Sequence, residues 1–174
     1  MRTEIRIAGT GGMGVVLAGV ILGHAAVVYG GLDAVQSQSY GPEARGTAAK
    51  SEVIISDHPI RYPKVRLSDY FVAMSQKALN LYINGSKNGS IVLADPDLVK
   101  TNKIDGFEVI EIPAMRTADE LGLRLVANMV MLGALVKKAD FFSVDVLEKT
   151  LAEFVPEKAL KVNIDAVHAG ERLI

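Results

Sequence analysis

A short strand followed by glycines and an apolar helix constrains the fold of this chain most. Residues 5–8 alternate as a strand does, glycines follow at Gly9, Gly11, Gly12 and Gly14, and the run 15–28 is almost entirely apolar. Three of these glycines fit the spacing G-x-G-x-x-G, in which backbone N–H groups at the start of a helix approach an anion. The order predicts a β–turn–α unit at the head of an α/β fold.

A dinucleotide is the first ligand that such a turn suggests. A dinucleotide site also needs an acid about twenty residues further on, at the C-terminal end of the second strand. Asp33 is near that spacing, but it begins the second predicted strand, 32–38, instead of ending it. The residues therefore also allow glycines that serve only close strand–helix packing.

A second unusual segment follows this strand. It reads Ser39-Tyr40-Gly41-Pro42-Glu43-Ala44-Arg45-Gly46. The proline fixes one backbone dihedral and the glycines free others, so the segment is sharply shaped, and Glu43 and Arg45 can face one partner. The simpler interpretation is a surface turn closed by an exposed ion pair.

Composition limits the function classes. The chain has 174 residues, 49% of them hydrophobic, a formal charge of −1 and no cysteine. The length fits a single domain, 1–174, and the weak charge disfavours nucleic acid or an anionic membrane as a partner. Without cysteine the chain cannot bind an iron–sulfur cluster through thiolates, and a reducing cytoplasm is compatible with its composition. The longest apolar stretch, 15–29, is too short to span a bilayer, so we expect a soluble protein.

Strands and helices alternate along the rest of the chain. The alternation predicts one Rossmann-like α/β domain, with a mostly parallel sheet of about five or six strands and helices on both faces. Further strands are predicted over 48–56, 69–74, 90–94 and 108–112, and helices over 75–83, 116–122, 128–138, 143–154 and 156–170. A β-hairpin excursion is predicted from 48–56 through the turn 57–59 to 60–62.

Four segments together resemble a known family. They are 9–14, 39–46, Ser51-Glu52-Val53-Ile54-Ile55-Ser56 and Asn128-Met129-Val130-Met131-Leu132-Gly133-Ala134-Leu135. They are similar to the gamma subunit of 2-oxoacid:ferredoxin oxidoreductases, and the resemblance covers nearly the whole chain. Tyr62-Pro63 and Asn163-Ile164-Asp165-Ala166 are most similar to the 2-oxoglutarate branch, called 2-oxoglutarate synthase.

The resemblance implies a role within a complex. That complex oxidatively decarboxylates a 2-oxoacid to its coenzyme A thioester and reduces ferredoxin. It uses thiamine diphosphate and iron–sulfur clusters, both held by other subunits. The expected partners are alpha and beta subunits, a ferredoxin-like delta subunit where present, and ferredoxin. The chain departs from the family at Met13, where the family commonly has Gln, and at Thr47, where it commonly has Gly.

We expect the loops 9–14 and 39–47 to close a chamber owned mainly by a catalytic subunit. Arg45 would hold a carboxylate or phosphate through two hydrogen bonds, Glu43 would orient it, and the glycine turn could hold another anion. The predicted binding residues are Gly9, Gly11, Gly12, Gly14, Ser39, Tyr40, Glu43, Arg45 and Gly46. An intersubunit salt bridge is the alternative role for Arg45.

Other residue types predict no catalytic or metal site. His24 and His168 stand in predicted helices and are interpreted as structural, and His58 stands in a turn. No histidine and carboxylate pattern shows metal-ligand spacing. A free-standing nucleotide-binding dehydrogenase and a non-catalytic assembly module remain the alternative functions.

Overall fold

A computed structural model describes residues 1–41 and 47–174 of the chain. The strands are β1 (Arg2–Thr10), β2 (Asp33–Tyr40), β3 (Ala48–Ser56), β4 (Ser68–Ala73), β5 (Ser86–Ala94) and β6 (Glu108–Glu111). The α-helices are α1 (Val15–His24), α2 (Gln76–Tyr82), α3 (Ala114–Glu120), α4 (Ala127–Ala139), α5 (Asp145–Phe154) and α6 (Glu157–Glu171). A π-helical turn, Ala25–Tyr29, extends α1, and 3-10 turns cover Ile83–Gly85, Thr101–Lys103 and Arg124–Val126.

The six strands form one mixed sheet in the order β2-β3-β1-β4-β5-β6. The pairs β1–β4, β4–β5 and β5–β6 are parallel, whereas β3 runs antiparallel to both β1 and β2. The predicted α/β class is confirmed. The parallel strands end along a single edge of the sheet, which is where ligand sites of open α/β sheets are usually found.

The predicted hairpin through residues 60–62 is wrong. The segment 57–67, all of it described, contains bends but no strand. β3 already has β1 on one side and β2 on the other, so no edge of β3 is free to pair with residues 60–62. The antiparallel hairpin that the fold does contain joins β2 to β3 instead.

Helices cover both faces of the sheet, as predicted. The larger core lies under α1 and α4 and includes Ile5, Ile21, Val53, Met129 and Leu132. The smaller core lies under α2 and includes Phe71, Ala78 and Val92. The alternation of side chains along each strand sends neighbouring residues of β4 into different cores, with Phe71 on one face and Val72 on the other.

The predicted starts of α2 and β5 can be compared with the structure. The side chain of Ser75 accepts a hydrogen bond from the N–H of Ala78 at 3.2 Å and so caps α2, at the start of the helix predicted over 75–83. β5 begins at Ser86, earlier than the predicted Ser90, because Ser86 pairs with Ser68 before the register shifts. Gly89, inside this irregularity, has a φ of 74°, which explains why its surroundings resemble a turn in sequence.

Two glycines let α4 and α6 approach closely. A Cβ on Gly133 would lie 1.9 Å from the carbonyl oxygen of Val167, and a Cβ on Gly170 would lie 1.9 Å from the carbonyl oxygen of Val130. The two helices therefore touch through their backbones. Within the described residues, every helix falls short of the length and apolarity that crossing a bilayer requires.

Candidate functional site

The glycine turn joins the C-terminal end of β1 to the start of α1. Gly12 has a φ of 90° and Gly14, the residue before the helix, a φ of 70°, so both adopt the left-handed conformation that favours glycine. The N–H of Met13 donates to the carbonyl of Thr10 at 3.2 Å and closes the turn. The predicted β–turn–α unit is present.

The ends of the second segment lie beside this turn. Gly11 donates its N–H to the carbonyl of Thr47 at 3.0 Å, and Gly41 donates to the carbonyl of Ala48 at 3.1 Å. Ser39 and Tyr40 end β2 at the same edge of the sheet, where the side chain of Tyr40 is exposed. Glu43, Arg45 and Gly46 lie outside the described residues, so their predicted role stays a prediction.

Asn128, at the start of α4, holds the end of the glycine turn through a side-chain hydrogen bond. Its side-chain amide donates to the carbonyl of Gly14 at 3.0 Å, and its side-chain oxygen accepts the N–H of Met129 at 2.9 Å. Asn128 is buried, and a Cβ on Gly14 would come within 2.3 Å of its amide nitrogen. Sequence reasoning missed this residue. The available signal was a lone polar side chain at the head of an apolar helix.

Met13 and Thr47 both contact the glycine turn, Met13 through its side chain and Thr47 through its backbone carbonyl. The sulfur of Met13 accepts a hydrogen bond from the N–H of Thr10 at 3.3 Å, so the side chain folds back over the turn. A Cβ on Gly9 would lie 3.1 Å from that sulfur. Thr47 supplies the carbonyl that binds Gly11. Met13 thus fills the inside of the turn, and Thr47 holds the turn against the hairpin.

The geometry does not suit a dinucleotide. Asp33 pairs with Ser56, which in turn pairs with Arg2, so it lies at the opposite end of the sheet from the glycine turn. Moreover, β3 separates β2 from β1, whereas the dinucleotide fold places the acid on the strand next to β1. Asp33 therefore cannot hold the ribose of a nucleotide bound at Gly9 to Gly14.

A buried acid organises the same edge of the sheet two strands further along, after β5. Asp95 follows β5, and its carboxylate accepts the N–H of Asp97 at 2.9 Å and of Met115 at 2.8 Å. Burial raises the pKa of the Asp95 carboxyl, and the two N–H donors oppose that shift. Both carboxylate oxygens are engaged by backbone groups, so Asp95 fixes the start of α3 and is a structural acceptor.

The histidines occupy structural positions. His24 lies 3.1 Å from Glu153 through Nε2 and packs edge-on against Phe154, which links α1 to α5. His168 lies 2.6 Å from Glu148 through Nε2 and 3.2 Å from Glu171 through Nδ1. The side chain of His58 is mostly exposed, at 77% of its surface. These contacts agree with the structural interpretation of His24 and His168.

One cluster brings together side chains of types that can ligate a metal, although their spacing in the sequence does not indicate a site. Asp145 and Glu148 on α5 meet His168 on α6, with ligand atoms within 4.8 Å of one another. The sequence concealed the cluster because its members lie on different helices. Both ring nitrogens of His168 already contact carboxylates, so we interpret the group as a cross-link between α5 and α6 and assign no metal to it.

This cross-link predicts a pH dependence of stability. The carboxylates of Glu148 and Glu171 raise the pKa of His168, outweighing the opposing effect of burial. A raised pKa in the folded state stabilises the protein fully below the unfolded value of about 6.5, and the contribution disappears as the pH rises through the folded value. We expect His168→Gln to lower the free energy of unfolding by less than about 1 kcal/mol, and to do so only at low pH. Urea unfolding of both proteins from pH 5 to pH 9 measures this, and a constant difference across that range would contradict it.

The fold and the site define a class: an α/β protein whose glycine turn is hydrogen-bonded to the end of the β2–β3 hairpin and whose Asp33 lies too far away to serve a dinucleotide. The sequence matches the family model described as pyruvate ferredoxin/flavodoxin oxidoreductase over residues 4–173. The chain belongs to that family, and the resemblance identified from the sequence is confirmed.

Individual relatives and solved structures give a more specific similarity than the family match. The chain is 50% identical to the 2-oxoglutarate synthase subunit KorC of Methanothermobacter marburgensis, over 100% of this chain and 97% of that protein. The crystal structure of the keto/oxoacid ferredoxin oxidoreductase gamma subunit from Geobacter sulfurreducens superposes with a TM-score of 0.89 at 40% identity, covering 99% of this chain and 95% of that one. A 2-oxoglutarate:ferredoxin oxidoreductase from Magnetococcus marinus, solved with 2-oxoglutarate, coenzyme A and succinyl-CoA, gives a TM-score of 0.88 at 26% identity, covering 99% of this chain but 31% of that one.

Proposed function

We propose that this chain is the gamma subunit of a 2-oxoacid:ferredoxin oxidoreductase that acts on 2-oxoglutarate. Near-complete mutual coverage with KorC at 50% identity supports both the subunit type and the oxoacid. The Magnetococcus marinus chain extends well beyond the region that this chain matches. The name of KorC, a 2-oxoglutarate synthase subunit, supports a role in which the chain works beside catalytic subunits and is inactive alone.

One observation carries the proposed role of the site. The hydrogen bond from Gly11 to the carbonyl of Thr47 joins the glycine turn to the end of the hairpin loop at the edge where the parallel strands end. Two loops that are distant in sequence therefore present one surface. We propose that this surface closes the chamber in which a partner's thiamine-bound intermediate meets coenzyme A, and that the chain spans a single domain, 1–174.

The individual residues have positioning roles in this proposal. Arg45 binds a carboxylate or phosphate with two parallel hydrogen bonds, and Glu43 orients it. Backbone N–H groups of the glycine turn favour a second anionic group, because the start of α1 carries partial positive charge. Ser39, Tyr40 and Gly46 complete the surface, and the exposed ring of Tyr40 suits contact with a partner.

The cofactors belong to the partners in this proposal. The chain contains no cysteine, so it offers no thiolate to an iron–sulfur cluster. Thiamine diphosphate supplies the carbanion chemistry and the clusters carry electrons to ferredoxin, while this chain binds and orients substrate groups. The assigned partners are alpha and beta subunits, a ferredoxin-like subunit where present, and ferredoxin. We propose a cytoplasmic location, with which the cysteine-free composition is compatible.

Reconstitution of the complex with Arg45→Ala tests the role of the loop. Loss of a charge-assisted, bidentate contact is expected to lower kcat/KM for the oxoacid or coenzyme A by about 10–100-fold, with assembly intact. Arg45→Lys restores charge without the bidentate geometry and should recover only part of the loss. Arg61→Ala, an exposed arginine at the opposite end of the sheet, is the control and should leave turnover unchanged.

Two outcomes of this experiment and one separate binding measurement distinguish the alternatives. Unchanged kinetics with Arg45→Ala would reject the substrate role. Failed assembly with normal kinetics in the residual complex would instead indicate an intersubunit salt bridge and an assembly module. The dehydrogenase alternative requires that the chain alone bind NAD(P), which a thermal-shift titration measures, and the position of Asp33 speaks against it.

A further inference from the structure

A groove on the α2 face of the sheet lies apart from the glycine turn. It has a volume of about 550 Å³ and runs between α2 and the segment 100–107. This size is within the range of small-molecule sites, which combine apolar walls with a few convergent polar groups. We refer to it as the α2 groove.

The α2 groove is held open by hydrogen bonds at its rims. Gln76 accepts the N–H of Lys100 through its side-chain oxygen at 2.8 Å, which ties the segment 100–107 to the start of α2. At the other end, the N–H of Gly89 donates to the carbonyl of Gly106 at 2.9 Å. The 3-10 turn between them is closed by the N–H of Ile104 on Thr101 at 3.2 Å. A ligand would therefore meet a shaped site that needs little ordering.

The apolar part of the groove suits a flat ring. Leu79 and Ile83 line it from the α2 side, and Ile104 and Phe107 line it from the facing segment. All but Leu79 are partly exposed hydrophobic side chains packed against the smaller core. Aromatic and aliphatic walls on opposing sides favour a planar apolar group over an extended polar chain.

The polar part of the groove suits an anion. Lys100 and Lys103 line it, and neither pairs with a carboxylate among the residues that the structure describes. Asp105 is the one acid in the lining, which leaves a local charge of +1 in a chain whose formal charge is −1. Asn80 and Asn84 add amides that can donate to and accept from the edge of a heterocycle.

We infer that the α2 groove binds a nucleoside phosphate, with the lysines on the phosphate and the ring between Ile83 and Phe107. Lysine ammonium groups bind phosphate as compact point charges. The amides of Asn80 and Asn84 line the same groove and offer hydrogen bonds to a base, although the side-chain oxygen of Asn80 also accepts from Gln76 at 2.9 Å. The inference does not depend on the proposed function, since it concerns another face of the chain. It can be tested on the whole chain without partner subunits.

Calorimetric titration of the purified chain with ADP, adenosine and inorganic phosphate tests this inference. ADP is expected to bind at least about tenfold more tightly than either fragment, because it engages both parts of the groove. If ADP shows no saturable binding up to millimolar concentration, the inference is overturned. Phosphate binding as tightly as ADP would overturn the ring contact, and adenosine binding as tightly would overturn the role of the lysines.

Matched variants localise the binding. Lys100→Gln combined with Lys103→Gln should weaken ADP by at least about tenfold, whereas Asp105→Asn should strengthen it by up to about threefold. Lys149→Gln combined with Lys158→Gln removes the same charge from exposed positions on α5 and α6 and is the control. Equal effects of the two lysine pairs would show nonspecific attraction and overturn the assignment to this groove.

Discussion

Replacing Gly133 with alanine is expected to lower the free energy of unfolding by about 3 kcal/mol, at the upper end of overpacking costs. The new Cβ would lie 1.9, 2.7 and 2.8 Å from the carbonyl oxygen, carbonyl carbon and Cα of Val167. All three are backbone atoms of α6, so no side chain can rotate away and the two helices must separate. The buried surface between α4 and α6 would then be lost along with the close contact.

The sign of this effect distinguishes packing from helix propensity. Alanine favours an isolated helix over glycine by about 1 kcal/mol, so propensity alone predicts stabilisation. Gly23→Ala in α1 is the control, since its Cβ would lie 3.7 Å from Gln36 and 4.0 Å from Val53, which is ordinary contact. We expect the melting temperature to fall by roughly 6–12 °C for Gly133→Ala and to hold or rise for Gly23→Ala. A Gly133→Ala protein as stable as wild type would contradict the close crossing.

Local chemistry made part of the fold predictable. The strand, glycines and apolar run around Gly12 specify their turn within a few residues, and Ser75 caps α2 by bonding to a residue three positions away. Gly133 is a further local signal, because a glycine inside an apolar helix permits a close helix crossing. For the glycine turn and the cap of α2, the deciding interaction lies within one element or at its end, whereas the partner helix of Gly133 becomes known only from the structure.

Long-range pairing was not predictable from such signals. The alternating pattern predicts β3 correctly, but it does not show that β3 inserts between β1 and β2. The predicted hairpin therefore paired residues 60–62 with β3, which has no free edge. A strand's pattern records which face is buried and says little about its neighbours.

The candidate site divides in the same way. Its glycines and the hairpin segment were recognisable in sequence, because unusual backbone conformations require residues such as glycine and proline. The amide of Asn128 was not, since it reaches Gly14 across 114 positions of sequence. The cluster of His168 with its carboxylates was not recognisable for the same reason, because these side chains come together only where α5 packs against α6.

Replacing Arg6 with methionine is expected to lower the free energy of unfolding by about 3–4 kcal/mol. The side chain of Arg6 is 6% exposed and donates to Glu52 at 2.7 and 2.9 Å. It also donates to the carbonyls of Tyr82 at 3.2 Å and Gly85 at 2.8 Å, which anchors the end of α2 to the sheet. Methionine fills similar space but leaves these two carbonyls without this donor and Glu52 with only Lys50, at 3.0 Å.

A nearby arginine and a double variant isolate the cause. Arg2 pairs with Glu4 on the same strand at 2.9 Å, but its side chain is 34% exposed, so Arg2→Met should cost less than about 1 kcal/mol. Removing both charges with Arg6→Met and Glu52→Leu should recover part of the stability, because a buried pair replaced by apolar groups is often neutral. Denaturant unfolding of the four proteins measures these differences. Equal costs for Arg6→Met and Arg2→Met would mean that burial of the Arg6–Glu52 pair does not set the strength of the contact between α2 and the sheet.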